Sequence, residues 1–366
     1  MNDLRTRRAQ VGHHNRRSRD ATMTQANAEA GKPAVAVIIP FYNGSRWIER
    51  ALLSVFQQTV PADEVVVVND GSSVEEQAAL HDIGARYPIR IIDKPNGGQG
   101  SARNAGVDVC SSEYLCFLDQ DDFYLPDHIE VLVRDVPMNA QNFGFVYGDC
   151  MEADGEGNII RPSMVKEHSV HPKHSIVDLL RSDMFILPSA SMIDRKAYQA
   201  VGGFDEQFTG YEDDDLFMRL FMEGYTPRFV DRPVYVWCIH RESMSHSVLM
   251  SRSRFRYFKK LKEAFPDDPD RDRYYFRDCL VPRFGRAFVL DAIRAAKERS
   301  PYRSEINTIL RDYAAVVREN EYVGHRYKLE LTVFTTLAKI VPNELLGILR
   351  IAARLPLIRR LIINER

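Results

Sequence analysis

Between residues 34 and 118, short β-branched apolar runs alternate with amphipathic stretches, and no other feature of the chain constrains its fold as strongly. The runs are AVAVII (Ala34–Ile39), EVVVV (Glu64–Val68), IRII (Ile89–Ile92) and YLCFL (Tyr114–Leu118). A strand that is apolar on both sides must be covered on both sides. The stretches between the runs, Trp47–Phe56, Val74–Arg86 and Ser101–Val109, carry apolar residues at helical spacing and supply that cover. The pattern predicts a parallel sheet with helices on both faces, the α/β half of a nucleotide-binding fold.

Further along, FGFVYG, RFV and VYVW give short strand signals among helices, so residues 144–240 are expected to complete the sheet as a more mixed half. Beyond about residue 248 the chain is rich in Arg, Lys, Leu, Ala and Tyr at helical spacing, which predicts an α-helical C-terminal extension. Residues 1–32 are polar, arginine-rich and without hydrophobic period, the signature of a disordered arm. The expected organisation is therefore an arm over 1–32, an α/β domain over 33–248 and a helical extension over 249–366. Met23, just before the first strand, is an alternative start for the native chain.

Composition removes several function classes. Lys plus Arg number 49 against 51 Asp plus Glu, a formal net charge of -2, so the surface as a whole offers no field to hold nucleic acid. A nucleic-acid or membrane role for the arm rests on its arginines alone, and no nucleic-acid partner is expected. Cys110, Cys116, Cys150, Cys238 and Cys279 form no C-x-x-C or zinc spacing and suit reduced thiols. No run reaches the roughly eighteen apolar residues of a spanning helix, and the first thirty residues lack the apolar segment of a secretory signal. The expected location is the cytoplasm.

In an open parallel sheet, ligands bind beyond the carboxyl ends of the strands. There the chain places Pro40-Phe41-Tyr42-Asn43, Asn69-Asp70-Gly71-Ser72, Asp93 to Gly98, and Asp119-Gln120-Asp121-Asp122. Each loop alone is compatible with turn and capping chemistry. The LDQDD segment reads either as a capped turn or as a site where clustered carboxylates hold Mg2+ or Mn2+ against a diphosphate. Glu212 to Asp215 open a second helical stretch, where acids either complement the helix dipole or present a general base to a cleft.

In order, VAVIIPFYNGSRWIERALLSVFQQT, EVVVVNDGSS, NGGQGSARNAGV, YLCFLDQDD, GGFDEQFTGYEDDDLFMRL and HRESMS make the chain resemble the family 2 glycosyltransferases from about Val35 to Ser245. The resemblance implies the GT-A fold, a Rossmann-like nucleotide-diphospho-sugar transferase domain. It implies transfer of a sugar from a nucleotide-diphospho-sugar to an acceptor hydroxyl with inversion. Carried onto this chain, it puts Pro40, Tyr42 and Asp70 around the nucleobase, Arg103 on the nucleotide and Asp119 toward the ribose. It puts Asp121 on a Mg2+ or Mn2+ ion, with His240 as a further metal or diphosphate contact. Glu212 falls on the acceptor side, with Asp213 as the base. A UDP-sugar is among the donors this implies, and a glycan or lipid-linked acceptor in cell-surface polysaccharide or glycolipid synthesis is the expected context.

Processive members of that family carry a Q-x-x-R-W motif and spanning helices, and neither occurs in this chain, so addition of one or a few sugars is expected. The C-terminal ELLGILRIAARLPLIRRLIINER combines apolar faces with arginines. It suits a peripheral helix at the cytoplasmic face of a membrane, or one docked on the catalytic domain or a second subunit. Two other classes compete. A sugar-nucleotide pyrophosphorylase would carry a glycine-rich Arg/Lys loop after the first strand, where PFYNGSRW stands; a non-catalytic sugar-nucleotide or glycan-binding protein would be expected to lack Asp121 or Asp213, and both are present.

Overall fold

The computed structural model of the protein describes residues 33–137, 142–240 and 248–340. The N-terminal arm, residues 241–245 of the HRESMS segment and the apolar, arginine-bearing stretch from Glu344 onward lie outside the described residues.

The alternating runs become β1 (Val35–Phe41), α1 (Ser45–Phe56), β2 (Glu64–Asp70), α2 (Val74–Gly84), β3 (Arg90–Lys94), α3 (Gln99–Asp108) and β4 (Tyr114–Phe117). These strands lie in the order β3-β2-β1-β4, all parallel. The chain continues through β5 (Phe123–Tyr124), α4 (His128–Arg134), β6 (Phe143–Asp154) and β7 (Ile159–Arg161). Then come α5 (Ile176–Arg181), β8 (Ser191–Asp194), α6 (Arg195–Ala200), α7 (Glu212–Met222) and β9 (Thr226–Ile239). The sheet extends from β4 as β8-β6-β9-β5, with β8 antiparallel to both neighbours and β9 parallel to β6. The mixed second half is thus present, with one difference from the sequence reading: RFV and VYVW belong to a single strand. Opposite the adjacent pair Gly148–Asp149, β9 offers Val230 and Pro233, so Asp231 and Arg232 bulge out of the ladder. Pro233 has no N–H to give to a ladder, and a bulge is where a strand tolerates it.

Alternation along the strands sends side chains to two separate cores. Ala36, Ile38, Val66, Val68, Leu115 and Phe117 pack with Ala102 and Val107 of α3 on one face. Val35, Val37, Ile39, Val65, Val67 and Cys116 pack with Ile48, Leu52 and Val55 of α1 on the other. Gly106 lets α3 lie against the sheet, because a Cβ there would meet Ile38 Cγ2 at 2.4 Å.

Four further helices follow: α8 (Val248–Ala264), α9 (Val281–Lys297), α10 (Arg303–Glu319) and α11 (His325–Ile340). Their Tyr257, Phe258, Phe284, Phe288, Tyr313 and Phe334 belong to the same apolar cluster as the α3 face of the sheet. Burying a large apolar side chain contributes about 1.5–3 kcal/mol, so the helical region and the sheet stabilise each other through a shared core. The five cysteines are buried free thiols. Among the described residues no helix is long and apolar enough to cross a membrane.

Candidate active site at the carboxyl ends of the strands

Pro40 sits one residue from the end of β1, opposite Val68 of β2 and beyond Ile38, the last residue that pairs with β4. A missing N–H costs no ladder bond on that open side. Tyr42 follows, half exposed, and its backbone is clamped by one side-chain amide. Its N–H donates to Gln120 Oε1 at 2.8 Å, and Gln120 Nε2 donates to its carbonyl at 3.0 Å. Gly71 turns the chain out of β2 at φ +72°, where a Cβ would meet the Asn96 nitrogen at 2.6 Å. The Asp70 carboxylate is buried and accepts from Lys94 Nζ (2.7 Å), Gly97 N–H (2.9 Å) and Gly98 N–H (2.7 Å). Asp70 therefore fastens the β3–α3 loop to the end of β2.

That loop launches α3, whose Arg103 is almost fully buried beneath the strand ends. Arg103 Nη2 donates to Asp119 Oδ1 at 2.7 Å and Nη1 to Glu212 Oε1 at 3.2 Å. One guanidinium thus joins the two acidic clusters, which lie about ninety residues apart in sequence. Burial opposes the charge on Arg103, and the carboxylates of Asp119 and Glu212 more than offset it, so its pKa lies above the usual guanidinium value. Gln99, one turn earlier on α3, donates a second bond to Asp119 Oδ1 at 2.6 Å.

Asp121 and His240 come together, with Oδ2 and Nε2 2.7 Å apart. The imidazole also stacks on Trp47 of α1, ring centroids 4.5 Å apart, and the Arg46 guanidinium covers the Trp47 ring at 3.8 Å. Burial, then the neighbouring Asp119 charge, raise the pKa of Asp121, against the pull of His240. Asp122 is buried behind them, accepts from Cys238 N–H at 2.8 Å, and is raised further by burial and by both aspartates. The backbone of this loop is held by Arg50, whose Nη2 donates to the Asp121 carbonyl at 2.6 Å. Among the described residues no group of three or more His, Cys, Asp and Glu side chains converges as a ready-made metal cage.

The second cluster forms the first turn of α7, where the helix dipole favours acids. Three of its four carboxylates are matched to cations. Glu212 takes Arg103, Asp214 takes Arg283 at 2.6 Å, and Asp215 takes Arg219 at 2.8 Å and Lys260 at 2.6 Å. Asp213, partly exposed, has no cation at ion-pair distance among the described residues. Its Oδ1 accepts from the Asp214 N–H at 2.8 Å. Burial and then the charges of Glu212 and Asp214 push its pKa well above the ordinary carboxylate value, while burial brings that of Asp214 up to about 6 despite Arg283.

Sequence reasoning did not single out Gln99, Gln120, Arg50, Trp47 or Arg283. Gln99, Gln120, Arg50 and Trp47 lie inside the motif segments and could have been flagged by position. Arg283 carries no local signal, because its partners come from α7 and from residues 179–183.

Known proteins share parts of this sequence and its fold. Residues 36–202 match the model "Glycosyl transferase family 2", and 186–246 match "N-terminal domain of galactosyltransferase". An uncharacterized glycosyltransferase of Rickettsia felis is 33% identical over 51% of this chain and 31% of its own length. The chondroitin synthase of Escherichia coli is 28% identical over 63% of this chain and 32% of its own. The chain thus spans about a third of the length of these relatives. Among solved structures, S. aureus TarS 1-349 in complex with UDP-GlcNAc superposes with a TM-score of 0.59 at 16% identity, over 88% of this chain and 91% of that one. The mannosyltransferase PcManGT of Pyrobaculum calidifontis, in complex with GDP-Man and Mn2+, superposes with a TM-score of 0.52 at 17% identity, over 92% and 89%. The mixed sheet with its helical C-terminal region has the GT-A fold, and over residues 36–202 the chain is similar to the family 2 glycosyltransferases.

Proposed function

We propose that the protein is a metal-assisted, inverting and non-processive glycosyltransferase that moves a sugar from a nucleotide-diphospho-sugar to a hydroxyl of a glycan or lipid-linked acceptor. The observation that carries this reading is the Arg103 bridge between Asp119 and Glu212. It brings the acids at the end of β4 and the uncompensated carboxylate of Asp213 to the same edge of the sheet. The nucleotide sugars bound by TarS and PcManGT support a nucleotide-sugar donor, and the name of the E. coli chondroitin synthase supports a polysaccharide context.

In this reading Pro40, the exposed ring of Tyr42 and the Asp70-fastened loop receive the nucleobase. Asp119, oriented by Arg103 and Gln99, faces the ribose. Asp121 and His240 hold a divalent ion, Mg2+ or Mn2+. The fit is chemical: a carboxylate and an imidazole lie together, and Asp121 already carries an electrostatic penalty from burial and Asp119 that a cation relieves. Such hard ions prefer oxygen ligands, which a diphosphate would supply. When bound, the ion offsets the charge that grows on the diphosphate as the glycosidic bond breaks. Asp213 Oδ2 accepts the proton of the acceptor hydroxyl while that oxygen attacks the anomeric carbon from the face opposite the diphosphate. Oδ1 meanwhile stays on the Asp214 N–H. The raised pKa makes Asp213 a stronger base than an ordinary carboxylate. The same electrostatics set an acidic limit below which it is protonated and inactive.

The test is a screen of nucleotide sugars with Mn2+, following released nucleoside diphosphate. The wild type should turn over at least one donor. Asp213→Asn should bind that donor in calorimetry with unchanged affinity while turning it over far more slowly. Equal turnover by the two proteins would remove Asp213 as the base.

A further inference from the structure

The loop and helix start that carry Asp213 are held by the C-terminal helices. Ser253 Oγ of α8 accepts from Thr209 N–H at 3.1 Å, and Arg254 donates from Nε to the Tyr211 hydroxyl at 2.9 Å. Tyr257 OH donates to the Asp214 carbonyl at 3.3 Å, and Lys260 pairs with Asp215. From α9, Arg283 reaches in with a side chain only 4% exposed. Its Nη2 donates to Asp214 Oδ2 at 2.6 Å, its Nη1 to the Leu179 carbonyl at 2.8 Å and its Nε to Asp183 Oδ1 at 3.2 Å. Just before α9 the chain makes a π-helical turn, Phe276–Leu280, which changes the face that the following residues present.

The geometry points to Arg283 as a positioning residue for the general base: it fixes Asp214, whose backbone N–H in turn holds Asp213 Oδ1 and leaves Oδ2 for the acceptor. This rests on the assignment of Asp213 as base. The physical basis is the planar fork of arginine, which satisfies three acceptors on two segments at once. Buried Asp214 has no other cation at ion-pair distance among the described residues. Without the fork, the first turn of α7 keeps its contacts to α8 but loses the one that fixes the Asp214 side chain, and small misplacements of a catalytic group cost turnover steeply.

The experiment is a double-mutant cycle on the full chain with Asp213→Asn, Arg283→Met and the combination. The probes are Mn2+ plus UDP for binding, and for turnover the fastest donor among UDP-glucose, UDP-galactose, UDP-N-acetylglucosamine and GDP-mannose. Arg283→Met should lower kcat at least tenfold while UDP affinity stays within twofold. In the Asp213→Asn background the same change should cost less than twofold, because both act through one carboxylate. Arg283→Lys, which keeps the charge and loses the fork, should recover part of kcat; it runs the same cycle if the methionine variant does not fold. Full additivity of the two substitutions, or kcat and UDP affinity falling together, overturns the proposal. If Asp213→Asn itself leaves kcat unchanged, the base assignment fails and this inference falls with it. If Asp213→Asn is inactive but Arg283→Met matches wild type, only the inference fails.

Discussion

The two acidic clusters, Asp119 to Asp122 and Glu212 to Asp215, look alike in sequence and are built in opposite ways. At the end of β4 three carboxylates share little positive charge. Arg103 reaches Asp119, His240 reaches Asp121, and among the described residues the Asp122 carboxylate accepts from the Cys238 backbone N–H. In the first turn of α7, four carboxylates meet Arg103, Arg219, Lys260 and Arg283, and one acid is left over. Under-compensated acids close together are poised for a cation that arrives with its ligand. A compensated cluster with a single unpaired member isolates one basic oxygen. The difference teaches that counting acids does not separate the proposed metal site from the proposed base; their partners do.

The contrast can be broken by substitution. The largest expected effect is that of Asp213→Asn, with turnover lowered by about 10²–10⁴-fold, as for loss of a general base, and donor affinity by calorimetry unchanged. Next, Asp121→Ala should weaken Mn2+-dependent UDP binding by about 10–100-fold, with His240→Ala toward the lower end of that range. Chelation of the metal should reproduce this in the wild type and change little further in Asp121→Ala.

A paired acid should behave differently from both. Asp215→Asn, leaving Arg219 and Lys260 without their buried partner, should cost about 3 kcal/mol of stability in denaturant unfolding, while turnover per folded molecule stays within about threefold. A tenfold loss of turnover there would blur the distinction between the clusters.

The pH profile gives the finest test. As the proposed base, Asp213 would work ionised, and its raised pKa means that turnover should climb with pH through a limb centred above the ordinary carboxylate range. Below it the protonated base is silent. The limb should vanish in Asp213→Asn and persist in Asp121→Ala measured at saturating metal.

Much of the fold could be read from residues alone. In β1 to β4 the apolar runs left one arrangement that covers both faces, and helix starts were marked by residues such as Ser73, whose hydroxyl accepts from Glu76 N–H at 3.3 Å. The second half was less legible. From sequence β9 reads as two strands, because a bulge at Asp231–Arg232 followed by Pro233 looks, locally, like a loop. The segments rich in Asp, Asn and Gly fell at the strand ends, where the site lies. Their partners did not show. The family resemblance puts Asp70 beside a nucleobase without showing that its carboxylate accepts from Lys94 and two glycine N–H groups. That engagement belongs to a loop whose path no propensity gives.

The sequence by itself determined the parallel sheet, the edge at which chemistry collects and the two acidic clusters, because strand burial and turn preferences are local properties repeated along the chain. Only the tertiary structure decided which acids are neutralised and which one is not. Arg103, Lys260 and Arg283 reach their partners from helices distant in sequence, and buried ion pairs form only where packing has already brought the charges within a few ångströms. The same packing made the C-terminal helices part of the α3-side core and set Arg283 against the helix that carries Asp213.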